Sequence, residues 1–223
     1  MDCFGLLVAG PVSILILAQA QGWAQPPDPI SVALYTQFSE QPPAAVAEAM
    51  QRELLTIMQP AGLRFDWRST ADAEHAAPAA EIAVARFLGR CDAGELTSHA
   101  TSPGPLGWTH VSDGAILHFT DVDCGRLRDF LESGMLHVRL QDRDAVFGRA
   151  MGRVLAHEIY HIFANTQRHG SGLSKAAYSV DDLLYGVLRL DKLGMERISA
   201  ALHRTTTLLP PKVTPVSVKG TEF

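Results

Sequence analysis

The 223-residue sequence has few charged residues and no block in which charges of one sign accumulate. Charged side chains make up 19% of the chain, the net charge is −5, and no Lys or Arg precedes Arg52. A nucleic-acid-binding protein normally presents a basic face to the phosphate backbone, so this composition argues against nucleic acid as a partner. An apolar share of 47% excludes a disordered chain and is sufficient for one domain with a core, or for two very small ones.

The first 25 residues differ in composition from the rest of the chain. The segment 4–20 is apolar throughout, and a polar, Pro-rich stretch follows it. A membrane-spanning helix needs roughly 20 residues, so the shorter run suits the core of a signal peptide better. Ala18 and Ala20 are the small residues expected at a cleavage site. We therefore expect a signal peptide over 1–20, a linker over 21–29, and a secreted or periplasmic protein.

This N-terminal segment lacks the basic residue that usually precedes the apolar core of a signal peptide. An uncleaved N-terminal anchor is therefore an alternative to cleavage, and a misassigned start is another. In the first case the anchor would be the only part of the chain that enters a membrane.

Cysteine is scarce, with three residues in the chain and no CxxC pair. The spacing argues against a zinc site built from cysteine. Cys3 would be removed with the signal peptide, which leaves Cys91 and Cys124 in the mature chain. An even pair in an oxidising compartment predicts a disulfide, and two unpaired buried thiols are the alternative.

Hydrophobic periodicity predicts strands and helices along 30–204, which we expect to form one domain. After 204 the sequence has no period, so 205–223 is expected to be a flexible tail. Asp121 should cap a short helix, and Ser179 with Asp182 forms a capping-box pattern before a long one. The expected strands lie at 30–36, 63–67 and 81–88, and the expected helices lie between Pro43 and Pro60, at 127–131, at 143–165 and at 180–202.

Asp113-Gly114 lies between two strand-like segments, 108–112 and 115–119, and predicts a β-hairpin. A two-residue turn fixes which residues of the two strands lie opposite each other. In that register His110 would face Leu117 and Thr109 would face His118.

The helix predicted over 143–165 contains the motif HExxH at 157–161. Residues four apart lie on one face of a helix, as two imidazole ligands of one zinc ion require, so His157 and His161 are candidate ligands. Glu158 projects at a neighbouring angle, where its carboxylate could take and return the proton of a water activated by zinc. We therefore expect Glu158 to be the general base.

The residues around this motif also favour a metal site, although HExxH alone is weak evidence. Apolar residues occur on two sides of the predicted helix, which indicates burial on both sides with the histidines aimed at a cleft. A pair of core histidines satisfied by hydrogen bonds is the alternative. One side carries Phe147, Met151, Leu155, Ile159 and Phe163, and the other carries Val146, Ala150 and Val154.

His169 follows His161 by eight residues and is the candidate third ligand, with a solvated loop histidine as the alternative. A catalytic zinc normally has three protein ligands plus water. A continuous helix would place His169 about 12 Å beyond His161, so the chain must leave the helix and fold back. Asn165 can adopt the left-handed conformation needed there, and Gly170 and Gly172 give the returning loop freedom.

These residues resemble the zincin metallopeptidases, and most nearly the metzincins, whose pattern is HExxHxxGxxH followed by a Met-turn. Ala164 occupies the position of the glycine, Gln167 that of the third histidine, and no Met-turn follows His169 closely. The longer spacing to His169 is similar to that of predicted secreted bacterial zincins.

The resemblance implies an α+β, zincin-like fold, with a mixed twisted sheet that includes a hairpin, an active-site helix carrying HExxH, and a C-terminal helix. It implies Zn²⁺ as cofactor and a peptide or protein as substrate. In metzincins a strand above the cleft lies antiparallel to the bound peptide, a role that one strand of the hairpin would take here.

Three further residues were candidates for the site. We expect His110 and His118 to be hairpin-surface or cleft-wall residues, and Tyr178 to be a packed residue in preference to an oxyanion donor. Two functions stay open, an exported zinc hydrolase of peptidase type and an exported zincin-like domain that binds a metal or a partner without catalysis. An intact Glu158 favours the first, since a non-catalytic metal site has no need of a base.

Peptide mapping tests the predicted disulfide. In protein made in an oxidising compartment, non-reducing digestion should recover the Cys91 and Cys124 peptides as one linked species that separates on reduction. The bond closes a loop of about 33 residues and should contribute ~3–4 kcal/mol in the chain-entropy model. Two alkylatable thiols in the folded protein would contradict the pairing.

Overall fold

The structure is a computed structural model that describes residues 28–71, 77–94 and 104–208. The expected signal peptide, most of the linker and residues 209–223 of the expected tail lie outside the described residues. Within the described ranges, no helix is both long enough and apolar enough to cross a membrane.

The described residues form a mixed sheet of five strands in the order β2-β1-β3-β5-β4. The first four strands in this order run parallel, and β4 is antiparallel to β5. The expected mixed sheet with a hairpin is therefore present, and β4 of the hairpin is one of its edge strands. The strands are β1 (Ile30–Phe38), β2 (Leu63–Ser69), β3 (Glu81–Leu88), β4 (Gly107–Ser112) and β5 (Ala115–Asp123).

The turn of the hairpin has the conformation that its sequence predicts. Asp113 and Gly114 have φ values of 50° and 78°, and a type I′ turn requires positive φ at both central residues. Ser112 pairs with Ala115 directly beside the turn, as in the expected register.

Farther from the turn, a β-bulge shifts the pairing of the two strands. Val111 still pairs with Ile116, but Thr109 pairs with Thr120. Between these two pairs, β5 contains two more residues than β4. The expected pair of Thr109 with His118 is therefore wrong, and His110 lies within the bulge. A turn sequence sets the register only up to the first bulge, because the extra residues displace every later pair.

Helices α1, α2 and α3 contact this sheet, whereas α4 and α5 pack on other helices. Helix α3 lies at the centre because it contacts both α1 and strands β3, β4 and β5. All residues of 150–163 are buried, so the predicted burial of this helix on both sides is confirmed. The helices are α1 (Ala44–Met58), α2 (Cys124–Met135), α3 (Arg143–Phe163), α4 (Val180–Leu184) and α5 (Lys192–Leu208).

The backbones of α1 and α3 approach closely at two glycines of α3. A Cβ added to Gly148 would lie 2.2 Å from the carbonyl oxygen of Val46, and one added to Gly152 would lie 2.7 Å from that of Met50. No side chain fits at either position. The two glycines therefore let the backbones of α1 and α3 lie in direct contact.

The disulfide between Cys91 and Cys124 is present, with 5.0 Å between the Cα atoms. It joins the segment after β3 to the first residue of α2. The N-cap of α2 is Asp123, whose carboxylate accepts a hydrogen bond from the Arg126 backbone N–H at 2.9 Å. The expectation that Asp121 caps this helix is wrong, because Asp121 is buried in β5 and binds Arg86.

The single helix expected over 180–202 is instead two helices. The capping box of Ser179 and Asp182 is present, but α4 ends at Leu184 and α5 begins only at Lys192. The intervening segment leaves the helical path and buries Leu188 and Leu190 in the core. Tertiary burial therefore outweighs a helical pattern here, and α5 extends to Leu208, into the segment 205–223 expected to be a tail.

Substitution of Gly148 by Ala tests the close approach of α1 and α3. The new methyl group would press on the backbone of Val46, and overpacking of this kind typically costs about 1–3 kcal/mol of unfolding free energy. Chemical denaturation should show this loss. Gly125→Ala in α2 is a matched control, since its Cβ would meet no atom closer than 3.5 Å and alanine favours a helix. Equal stability of the two variants would contradict the packing described.

Candidate metal centre

The HExxH residues of α3 lie at the floor of an open cleft of about 560 Å³. His157 and His161 are each 7% exposed and Glu158 is 5% exposed, so the motif is buried apart from the atoms that face the cleft. The walls come from the hairpin, from α2 and from the segments 104–106 and 175–178. Apolar side chains that line the cleft are Leu106, Trp108, Val111, Ile116 and Phe130.

The chain turns back directly after α3. Asn165 has a φ of 46°, the left-handed conformation expected at this position. Gly172 has a φ of 58°, and a Cβ there would lie 2.6 Å from the carbonyl oxygen of Arg189. The Leu173 N–H donates to that same oxygen at 3.0 Å, so the returning loop is attached to the segment before α5. This attachment explains how His169 comes back toward the helix.

The fold brings His157, His161 and His169 into one cluster. Candidate ligand atoms of the three side chains all lie within 4.8 Å of one another. The Nε2 atoms of His157 and His161 are 3.0 Å apart, and the ring of His169 lies 5.4 Å and 5.0 Å from the other two rings. Three histidines at these separations could hold a metal ion.

The orientation of the two helix histidines fits a cation. The Nδ1 atom of His157 lies 2.8 Å from the carbonyl oxygen of Leu173, and that of His161 lies 2.7 Å from the carbonyl oxygen of Thr166. A carbonyl only accepts, so both Nδ1 atoms carry the proton and each neutral ring directs a lone pair from Nε2 at the other. Two lone pairs repel unless a cation lies between them, which is the arrangement of metal-binding histidines oriented by carbonyls.

Burial keeps these two rings neutral. It lowers the pKa of His157 to about 4, and it also lowers the pKa of His161. Neutral imidazole is the form that binds a metal ion. His157 and His161 are therefore in the required protonation state at neutral pH.

Glu158 lies beside the cluster without being part of it. The Thr109 hydroxyl donates to Oε2 of Glu158 at 2.8 Å. Burial raises the pKa of Glu158 to about 7, and a cation on the adjacent histidines would favour its carboxylate form. The carboxyl group therefore faces the cleft as a proton acceptor next to a possible cation site.

Tyr178 packs against the core, as expected, and it also reaches this site. Its hydroxyl donates to the Leu173 carbonyl oxygen and lies 3.0 Å from Nδ1 of His157. Its ring forms part of the cleft wall. No sequence pattern identifies Thr109 as a site residue, because it reaches the helix from a strand whose position depends on tertiary contacts.

The hairpin histidines lie outside the cluster, as expected. Nε2 of His110 lies 2.9 Å from Oδ2 of Asp121, and Nδ1 of His118 donates to the Ile82 carbonyl oxygen at 2.8 Å. Both side chains are therefore occupied by partners in the sheet.

No protein-family model and no curated protein matches this chain. The chemistry proposed for the site consequently depends on its own residues. Those residues are a three-histidine cluster, a neighbouring buried carboxyl group and an open cleft above both.

Substitution of His169 tests the composition of the metal centre. His169→Ala should weaken zinc binding at least ten-fold, because the variant keeps only two of the three imidazole ligands. Competition with a chromophoric chelator measures the affinity. His110→Ala and His118→Ala are matched controls that should bind zinc as the unmodified protein does. The opposite result would place the third ligand on the hairpin.

Proposed function

We propose that the protein is an exported zinc-dependent metallohydrolase, most specifically a peptidase of the zincin type. His157, His161 and His169 would hold Zn²⁺, and Glu158 would be the general base. The observation that carries this proposal is the position of the Glu158 carboxyl group beside the three-histidine cluster, at the floor of an open cleft.

The donor set favours zinc and a catalytic type of site. Imidazole nitrogen suits zinc, and three protein ligands leave a fourth position open, as catalytic zinc sites do and structural sites do not. When bound, zinc would act as a Lewis acid and lower the pKa of a coordinated water to about 7.

The protein's own residues would supply orientation and proton transfer. The carbonyl oxygens of Leu173 and Thr166 hold the rings of His157 and His161 in place. Glu158 would accept a proton at its carboxylate and return it to the leaving group, a role typically worth ~10²–10⁴ in rate. A binding module would have no need of this carboxyl group in a buried position, where an isolated charge is costly.

A peptide substrate fits the cleft better than a small compact molecule. The cleft is open, and β4 forms one wall with Thr109 and Val111. Within the described residues β4 pairs only with β5, so its other edge is free to add an extended peptide as a further strand. The apolar lining would receive apolar side chains of that peptide.

The disulfide supports the proposed location. A bond between Cys91 and Cys124 is stable in an oxidising compartment and rare in the cytosol. It therefore agrees with export by the apolar N-terminal segment.

Glu158→Gln tests the general base and the reaction together. The variant keeps the size and polarity of the side chain but removes the proton acceptor, so zinc content should be unchanged while hydrolysis of unfolded protein substrates falls ~10²–10⁴-fold. Glu48→Gln, on the exposed face of α1, is the matched control and should be fully active. Loss of zinc from Glu158→Gln would contradict the role assigned. Zinc binding without any turnover in the unmodified protein would favour the non-catalytic binding domain.

A further inference from the structure

The carboxylate of Glu158 is held by a residue of the edge strand. Thr109 Oγ1 lies 2.8 Å from Oε2 of Glu158 and 3.1 Å from its backbone carbonyl oxygen. The backbone N–H of Thr109 also contacts this carboxylate, with a smaller effect on its pKa than the hydroxyl has. Both contacts come from Thr109, and the hydroxyl is the stronger of the two in selecting one orientation of the Glu158 side chain.

The strand is pressed against the same side chain two residues earlier. A Cβ at Gly107 would lie 3.1 Å from Cγ of Glu158 and 2.9 Å from Cγ1 of Val154. Glycine therefore allows the backbone of β4 to lie directly on the aliphatic part of Glu158. Residues two apart face the same side of a strand, so this approach brings Thr109 to the level of the carboxylate.

Contacts on both sides of Thr109 fix its position in the sheet. The Thr120 hydroxyl donates to the carbonyl oxygen of Trp108 at 3.0 Å, and the His110 ring lies 2.9 Å from the buried carboxylate of Asp121. The β-bulge begins at this point. Bulges often redirect a side chain next to an active site, and here the bulge accompanies the turn of Thr109 toward α3.

We propose that Thr109 is a positioning residue, which holds one oxygen of the Glu158 carboxylate so that the group faces the cleft beside the histidine cluster. This inference rests on the proposed function, in which Glu158 is the general base. Without the hydroxyl, only the backbone N–H of Thr109 would contact the carboxylate. Glu158 would then reach the productive orientation in only part of the molecules.

The test compares zinc-loaded Thr109→Val, which keeps the shape and removes the donor, with Thr109→Ser, which keeps the donor. Thr109→Val should lower kcat about ten- to hundred-fold, the loss expected for a hydrogen bond to a charged group, with little change in KM or zinc content. Thr109→Ser should retain most of the activity. Thr36→Val, a partly buried strand threonine that donates to the Arg68 carbonyl oxygen, is the matched control and should be fully active.

Crystal structures of the zinc-loaded unmodified protein and of Thr109→Val give a readout that does not depend on turnover. The Glu158 carboxylate should contact Thr109 in the first and adopt other orientations in the second. A carboxylate that stays in place in Thr109→Val overturns the inference whatever the activity, and so does an equal loss of kcat in the Val and Ser variants. A carboxylate that moves while no variant shows turnover supports the positioning role and refutes the hydrolase.

Discussion

Four polar side chains along one face of helix α3 need hydrogen-bond partners inside the protein. The path of the chain after α3 depends on this requirement. Arg149, Arg153, His157 and His161 follow one another at intervals of four residues, so they form one row on the helix. Each bonds a backbone carbonyl of the returning segment 166–184, which runs antiparallel to the helix. The pairs are Arg149 with Leu184, Arg153 with Asp182, His157 with Leu173 and His161 with Thr166.

The same bonds explain why this face suits a cation. A buried donor without a partner costs about 1–3 kcal/mol, so the row keeps the returning segment attached to the helix. For the two histidines, donation from Nδ1 leaves Nε2 as the free nitrogen and directs it toward the other ring. Burial then keeps both rings neutral. The hydrogen bonds that attach the returning segment therefore also orient the two candidate ligands.

The neighbouring face of α3, which contacts α1, provides further support. Gly148 and Gly152 admit the backbone of α1, and the ion pair of Arg153 with Glu53 at 2.7 Å joins the two helices. Toward the sheet, Gly107 and Thr109 bring β4 onto Glu158. The helix is thus held from three directions, which leaves the cleft as the open side of the motif.

Local chemistry by itself determined much of this protein. The pairing of His157 with His161 follows from helix periodicity, and the conformations of the Asp113-Gly114 turn and of Asn165 follow from what those residues allow. Only the tertiary structure decided the break between α4 and α5, the bulge at Thr109, and the approach of His169 and Tyr178 to the helix. The physical reason is the distance along the sequence over which each interaction acts. Periodicity and backbone preference act over a few residues, whereas loop attachment, strand register and burial depend on partners distant in the sequence.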